Sequence, residues 1–378
     1  MGPLNGIRVL ELAAIGPAPF AGMYLSDLGA EVIRIDRVGG NSNPLASNAG
    51  PMERGKRSIN VDLKSAEGRT IFLDLVSTSD VLLEGFRPGV TERLGVGPDE
   101  CLQCNPKLVY ARMTGWGQEG PLSESPGHDI NYIGIAGPLA HIGRKGEQPS
   151  VPLNLLGDFG GGSMFVIVGI LSALLAVKGG GLGQVVDAAM VDGAAYLASP
   201  LFTAYQSGFW TEERGSNLLD SGAPFYDVYA TSDEKYMAVG AIEPKFYRAF
   251  IEGLGLDIED LPPQNDRSHW PKLKREIQEI FSTRTREEWT TIFSGTDACV
   301  TPVLTMGESP LYSQAIDRQS FFVTSGVTQP QPPPIFSHTT SEPELTSEVP
   351  GQSTTEILHE LGKNDLEIEE LRKSGIVS

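Results

Sequence analysis

The chain has 378 residues, 40% hydrophobic and 20% charged. That is enough for a sizeable core and for two domains, because single cores seldom grow past about 250–300 residues. With 48 acidic side chains against 29 basic ones, its formal net charge is −19, which excludes a nucleic-acid or anionic-membrane partner and makes any local cluster of Arg and Lys a candidate anion site.

The start, Met1-Gly2-Pro3-Leu4-Asn5-Gly6, has no charged leader pattern, and strand-like sequence begins at once with residues 7–12. Gly16-Pro17-Ala18-Pro19 turns the chain into a helix to about Leu28, Gly29 stops it, and residues 31–36 form the next strand. A helix over 66–77 and strands over 80–84 and 107–113 continue this rhythm, which predicts an α/β domain with a mostly parallel sheet. The first strand–helix junction does not fit a dinucleotide fingerprint, since Pro17 and Pro19 stand where glycine backbones approach a pyrophosphate.

Arg34, Arg37, Arg54, Lys56, Arg57, Lys64, Arg87 and Arg93 all fall within the first hundred residues. Scattered surface charge is one reading. Their concentration in one domain favours the other, a polyanionic ligand held by arginine forks. Cys101, Cys104 and Cys299 are too few for a disulfide framework, which predicts a reducing, intracellular setting. Cys101 and Cys104 form a lone C-x-x-C read as structural, with Leu102, Cys104 and Leu108 on a packing face.

Gly127-His128-Asp129-Ile130-Asn131-Tyr132 follows Pro126 in a loop or at a helix start. Histidine, with an ordinary pKa of about 6.5, suits a base that must later return a proton, although a loop histidine is equally at home on the surface. Thirty residues after His128 comes Asp158, in Asn154-Leu155-Leu156-Gly157-Asp158-Phe159-Gly160-Gly161-Gly162. An aspartate titrates near 3.9 in water, so donating a proton at neutral pH requires burial, which Leu153, Leu155, Leu156 and Phe159 can supply. Asp158 can instead cap the helix expected over 159–177, whose N-terminus would also hold an enolate oxygen. The glycine run admits either a ligand or a close-packed helix. One base on each side of a single carbon is what inversion of a stereocentre by proton transfer needs.

The longest apolar stretch, 164–177, has 14 residues, short of the roughly 20 that cross a bilayer. Lys178 and Gly179-Gly180-Gly181 end that helix, and a further helical stretch covers 188–207. Strands at 225–230 and 235–240 flank Thr231-Ser232-Asp233-Glu234 as a hairpin, and helices follow at 244–253, 272–283 and 286–294. Together these predict a smaller α+β domain over 220–305. Glu243, just before Pro244, is either a helix cap or a carboxylate that orients a histidine. Residues 329–334 are Pro/Gln-rich, and 335–352 read as an extended surface strap. A final amphipathic helix over 354–372 breaks near Gly362. The ending, Gly375-Ile376-Val377-Ser378, is neither a prenylation box nor a clear peroxisomal tripeptide, so the expected setting is soluble and intracellular.

These stretches resemble, in order along the whole chain, those of the family III CoA-transferases, and within them the branch of α-methylacyl-CoA racemases. Besides the two stretches around His128 and Asp158, the likeness is carried by Gly6-Ile7-Arg8-Val9-Leu10-Glu11-Leu12, Arg34-Ile35-Asp36-Arg37, Gly55-Lys56-Arg57-Ser58 and Asp62-Leu63-Lys64. It continues through Arg87-Pro88-Gly89-Val90, Thr114-Gly115-Trp116-Gly117-Gln118, Gly222-Ala223-Pro224-Phe225-Tyr226 and Val239-Gly240-Ala241-Ile242-Glu243-Pro244.

The resemblance implies a large Rossmann-like domain and a small one, with two subunits interlocked as a homodimer. The large domain would take 1–190 and return over 306–378, with a linker helix over 191–219. It also implies that His128 and Asp158 are the acid/base pair and that Glu243 hydrogen-bonds His128. Arg37, Val61, Asp62, Leu63, Lys64, Gly85, Phe86, Arg87, Arg93, Gly127, Asp129, Ile130, Asn131 and Tyr132 would contact CoA or the acyl thioester. The implied reaction is interconversion of (2R)- and (2S)-2-methylacyl-CoA thioesters through an enolate, with no cofactor because CoA is part of the substrate. A transferase using Asp158 as nucleophile needs no histidine partner, so His128 favours the racemase. A non-catalytic acyl-CoA-binding protein is the remaining alternative, and the acyl group stays open.

Overall fold

The computed structural model describes residues 2–40, 50–324, 326–339 and 343–378. The chain forms two compact units, one of Met1–Ala136, Leu153–Leu197 and Gln319–Ser378, the other of Gly137–Pro152 and Ala198–Arg318. The second unit therefore takes in residues 137–152, which the sequence reading placed in the large domain, and runs on to 318.

The first unit opens with β1 (Arg8–Leu12), α1 (Pro17–Asp27) and β2 (Glu31–Asp36), followed by β3 (Lys56–Asn60), α2 (Ala66–Ser77) and β4 (Val81–Glu84). Then come α3 (Val90–Leu94), α4 (Pro98–Cys104), β5 (Val109–Thr114) and α5 (Asp129–Ala136). A π-helical segment, Leu155–Ser163, runs straight into α6 (Met164–Lys178), and β6 (Gln184–Ala189) and α7 (Met190–Leu197) follow. The six strands pair in parallel in the order β3-β2-β1-β4-β5-β6.

Strand alternation sorts the core onto two faces. Leu10 and Leu12 of β1 cluster with Phe72 and Leu75 of α2 on one face, and Val9 clusters with Leu25 of α1 and Ile170 of α6 on the other. Because the chain first builds outward to β3 and then returns to place β4 beside β1, a crevice opens at the carboxyl ends of β1 and β4, where open α/β sheets bind ligands. The nucleotide-binding strand order is thus present without the glycine fingerprint.

Several expectations change. Residues 188–207 were read as one helical stretch, but they start in β6, an exposed edge strand, before α7. The helix expected to begin near 159 begins at Leu155, so the apolar helix is 24 residues long, enough by length and composition to cross a membrane. Its Val166, Ile167, Ile170 and Leu174 are nonetheless packed into the core of the first unit. In α4 it is Cys101 that is buried, its thiol pushed up to about 12 by burial, while Cys104 is exposed. Leu102 and Leu108 pack on the core as expected, but Cys104 does not, and Cys101 takes its place there.

In the second unit, α8 (Ser199–Gln206) precedes β7 (Tyr226–Ala230), β8 (Tyr236–Gly240), α9 (Pro244–Gly253), α10 (Trp270–Phe281), α11 (Arg286–Phe293), β9 (Val300–Pro302) and α12 (Ser313–Asp317). β7, β8 and β9 form an antiparallel sheet. Its core is aromatic, with Tyr229 stacked on Phe281 at 5.1 Å and Phe225 edge-on to Trp270. A capping box between Thr285 and Glu288 starts α11.

The chain returns to the first unit as a hairpin of β10 (Phe321–Thr324) and β11 (Val327–Pro330), then α13 (Thr354–Glu360) and α14 (Asp365–Lys373). The hairpin lies partly where only a Pro/Gln-rich tract was expected. Of the strap over 335–352, residues 340–342 lie outside the described residues. Its later part covers the β3 edge: Ser58 N–H donates to Glu348 at 2.7 Å, and Gly351 N–H donates to Ser58 Oγ at 2.8 Å. The strap thus caps a strand edge that would otherwise be open to pairing.

Beneath β1, β2 and β3 lies a buried ionic network. Lys56 is fully buried, and its Nζ reaches Glu11 at 2.8 Å, Glu53 at 3.1 Å and the Pro19 carbonyl at 3.0 Å. Arg34 pairs with Asp36 at 2.6 Å and Glu53 at 2.8 Å, and Arg54 grips Asp27 with two hydrogen bonds. Arg57 pairs with Glu31 and Glu360. Half of the basic cluster expected to bind an anion is therefore internal structure. Arg37, Lys64, Arg87 and Arg93 remain exposed.

Candidate active site

The first unit gathers most of the expected site residues at the carboxyl ends of its strands. Arg37 follows β2, Val61 to Lys64 follow β3, and Gly85, Phe86 and Arg87 follow β4. Val61 is buried, bridging to Val377, and Asp62 N–H donates to the Ile376 carbonyl at 2.8 Å. Gly85 lies in the crevice itself: a Cβ there would stand 3.3 Å from the side chains of Ala14 and Ala18.

His128 immediately precedes α5 and is exposed. Its N–H donates to Asn131 Oδ1 at 3.0 Å, while its carbonyl accepts from Asn131 N–H at 2.8 Å, so the backbone around the imidazole is locked by the first turn of the helix. Tyr132, one turn on, packs edge-to-face against Trp116 at 4.8 Å and donates its hydroxyl to the Gly127 carbonyl. Only glycine suits position 115, where a Cβ would fall 2.2 Å from the Tyr132 ring. Ile130 stays exposed beside His128.

Asp158 sits within the π-helical segment. Phe159 meets Phe20 of α1 at 4.8 Å, and the buried Ser163 donates to the Pro17 carbonyl at 2.8 Å, so this segment is pinned to α1 beside the β1 end. Asp158 Oδ2 accepts from Asn154 Nδ2 at 3.1 Å and lies 4.0 Å from where a Gly16 Cβ would be. Burial pushes the Asp158 carboxyl above its ordinary range. Asn154 opposes this, the Asp129 charge adds to it, and His128 opposes it. Tyr132 is pushed up to about 12, mainly by burial and next by Asp158, with Arg87 acting the other way. His128, Asp129, Tyr132, Asp158 and Arg87 thus form one electrostatic neighbourhood around a half-buried carboxyl, with the exposed imidazole of His128 at its edge.

One detail differs from expectation, and of the two readings of the glycine run one holds. The Asp129 side chain is turned inward, and its Oδ2 accepts the N–H groups of Gly157 at 2.6 Å and Asp158 at 2.7 Å. Those two helix-start amides are therefore taken and cannot serve an enolate. The glycine run packs helix on helix: a Cβ on Gly161 would lie 2.7 Å from Ala194 N, and one on Gly193 would lie 1.9 Å from the Gly161 carbonyl oxygen. The asparagine–aspartate contact at i, i+4 spacing went unread in the sequence, although that spacing signals it.

Glu243 belongs to the second unit, whereas His128 and Asp158 belong to the first. It holds the N-cap position of α9 through its backbone carbonyl, which accepts Tyr247 N–H at 2.9 Å, and its exposed side chain makes no capping hydrogen bond. The carboxylate is not used as a cap.

Residues 4–352 match the family model described as CoA-transferase family III. Over 377 residues the chain is 46% identical to a Mus musculus protein named alpha-methylacyl-CoA racemase, covering 99% of this chain and 97% of that one. A Homo sapiens protein of the same name is 45% identical over 376 residues, with 99% and 97% coverage. Among solved structures, the orthorhombic form of Rv3272 from M. tuberculosis aligns with a TM-score of 0.79 at 26% identity, covering 94% of this chain and 98% of that one.

Proposed function

The chain belongs to CoA-transferase family III, and from that membership we propose that it interconverts (2R)- and (2S)-2-methylacyl-CoA thioesters by proton transfer through an enolate. The observation that carries this reading is the placing of an exposed imidazole and a burial-raised carboxyl in one electrostatic neighbourhood, in a chain 45–46% identical to proteins named racemases. One of His128 and Asp158 removes the α-proton, the thioester carbonyl takes the charge, and the other delivers a proton to the opposite face. An aspartic acid at its ordinary pKa is ionised at neutral pH; burial shifts Asp158 in the direction a proton donor needs. The chemistry calls for no cofactor, since the CoA thioester itself stabilises the carbanion.

In this reading the exposed Arg37, Lys64, Arg87 and Arg93 hold the CoA phosphates at the strand ends, with Val61 to Lys64 and Gly85 to Arg87 as the walls. The Gly127 backbone and the exposed Ile130 and Asn131 contact the thioester beside His128. A homodimer is part of the proposal. Met164, Val168 and Leu175 on α6 and Val185 on β6 are exposed apolar residues of the kind a subunit interface covers.

Incubating one enantiomer of a 2-methylacyl-CoA in D2O should give loss of optical purity together with α-deuterium. Optical purity retained without exchange, with CoA instead passing to an added free acid through a hydroxylamine-trapped Asp158 anhydride, would identify a transferase.

A further inference from the structure

The Asp129 carboxylate is 5% exposed and spans two helix starts. It stands in the first turn of α5, yet its Oδ2 accepts both the Gly157 and the Asp158 N–H, 28 and 29 residues further along the chain. Its Oδ1 is buried with no hydrogen-bond partner among the described residues. Gly157 is fitted to this contact, because a Cβ there would stand 2.7 Å from Oδ2. We infer that Asp129 is a positioning residue, which fixes the backbone from which the Asp158 side chain projects and holds a negative charge behind it.

An ordinary helix cap would need only an acceptor, which a neutral side chain supplies; what distinguishes Asp129 is the charge. Among the described residues, the groups that act on Asp158 come from three sides. Asn154 contacts it from its own segment, His128 and Tyr132 come with Asp129 from the α5 side, Arg87 acts on Tyr132 from the β4 end, and Gly16 of α1 brings no charge. Burial and Asp129 act in one sense, keeping the proton on Asp158, while Asn154 and His128 act in the other. The catalytic consequence rests on the two-base reading: without the Asp129 charge, Asp158 loses its proton at lower pH and is less often protonated when it must donate.

Asp129→Asn keeps an oxygen for the two amides and removes the charge. In protein labelled with 13C-aspartate, with the Asp158 signal assigned by its loss in Asp158→Asn, the Asp158 titration should move to lower pH in Asp129→Asn. The fall in kcat should be about tenfold, as when hydrogen bonds to a charged acceptor become bonds to a neutral one. The pH–rate limb that reports Asp158 should move in the same direction, with KM little changed. An Asp158 titration left in place would overturn the proposal, even if activity fell, because a purely structural tie predicts a uniform loss. Should Asp129→Asn fail to fold, Asp129→Ser poses the same question. The titration is read without substrate, so a wild-type chain that fails to racemise would sink the reading of the reaction and leave this test standing.

Discussion

Replacing Asp158 by asparagine should slow interconversion of 2-methylacyl-CoA epimers by about 10²–10⁴-fold, the usual worth of one general acid or base. The substitution is close to isosteric, and the ties that hold this segment run through the backbone N–H of Asp158 to Asp129 and through Ser163 to Pro17, neither of which uses the Asp158 side chain. The fold should therefore survive, with circular dichroism and melting midpoint unchanged. Epimer interconversion followed by chiral chromatography reads the loss. An Asp158→Asn enzyme that racemises at the wild-type rate would remove the aspartate from the chemistry.

Lys56→Met should destabilise the chain by about 3–5 kcal/mol at pH 8, the cost of leaving a buried charge without its partner. On unfolding scales for domains of this size, that is a fall in melting midpoint of roughly 6–20 °C. Glu11 is fully buried against Lys56, and burial already pushes its carboxyl from 4.5 up to about 7, with Lys56 the chief opposing influence. A carboxyl raised in the folded state contributes most below its unfolded pKa, and that contribution is lost as pH rises through the folded one. Without Lys56 the carboxyl rises further. The variant should therefore be hurt less at pH 6, where Glu11 can take a proton, than at pH 8. Adding Glu11→Leu should restore much of the loss, since apolar replacements of buried ion pairs are often neutral or better. Equal destabilisation at both pH values would contradict the assignment.

The sequence was most readable where the signal is local. The strand–helix rhythm of β1, β2 and β4, the helix over 66–77 and the Thr231 to Glu234 turn follow from neighbouring residues, and so did the paired stretches around His128 and Asp158. What stayed hidden depends on contacts distant in sequence. Nothing near Lys56 announces that its partner is Glu11, 45 residues earlier, so it read as a free cation. Nothing near Gly157 announces that its amide is taken by Asp129. β6 was missed because an exposed edge strand lacks the apolar run that marks its buried neighbours, and β11 because Gln329 and Pro330 carry a poor strand signal.

The account depends on two proton carriers serving opposite faces of one α-carbon. Solvent-deuterium exchange, followed separately for each enantiomer in His128→Ala and in Asp158→Asn, tests this most directly. Each variant should still exchange the α-proton of one enantiomer without inverting it, and the two variants should differ in which enantiomer that is. If both variants lose exchange for the same enantiomer and keep it for the other, or if one variant loses both and the other neither, the two residues do not serve opposite faces and the account fails.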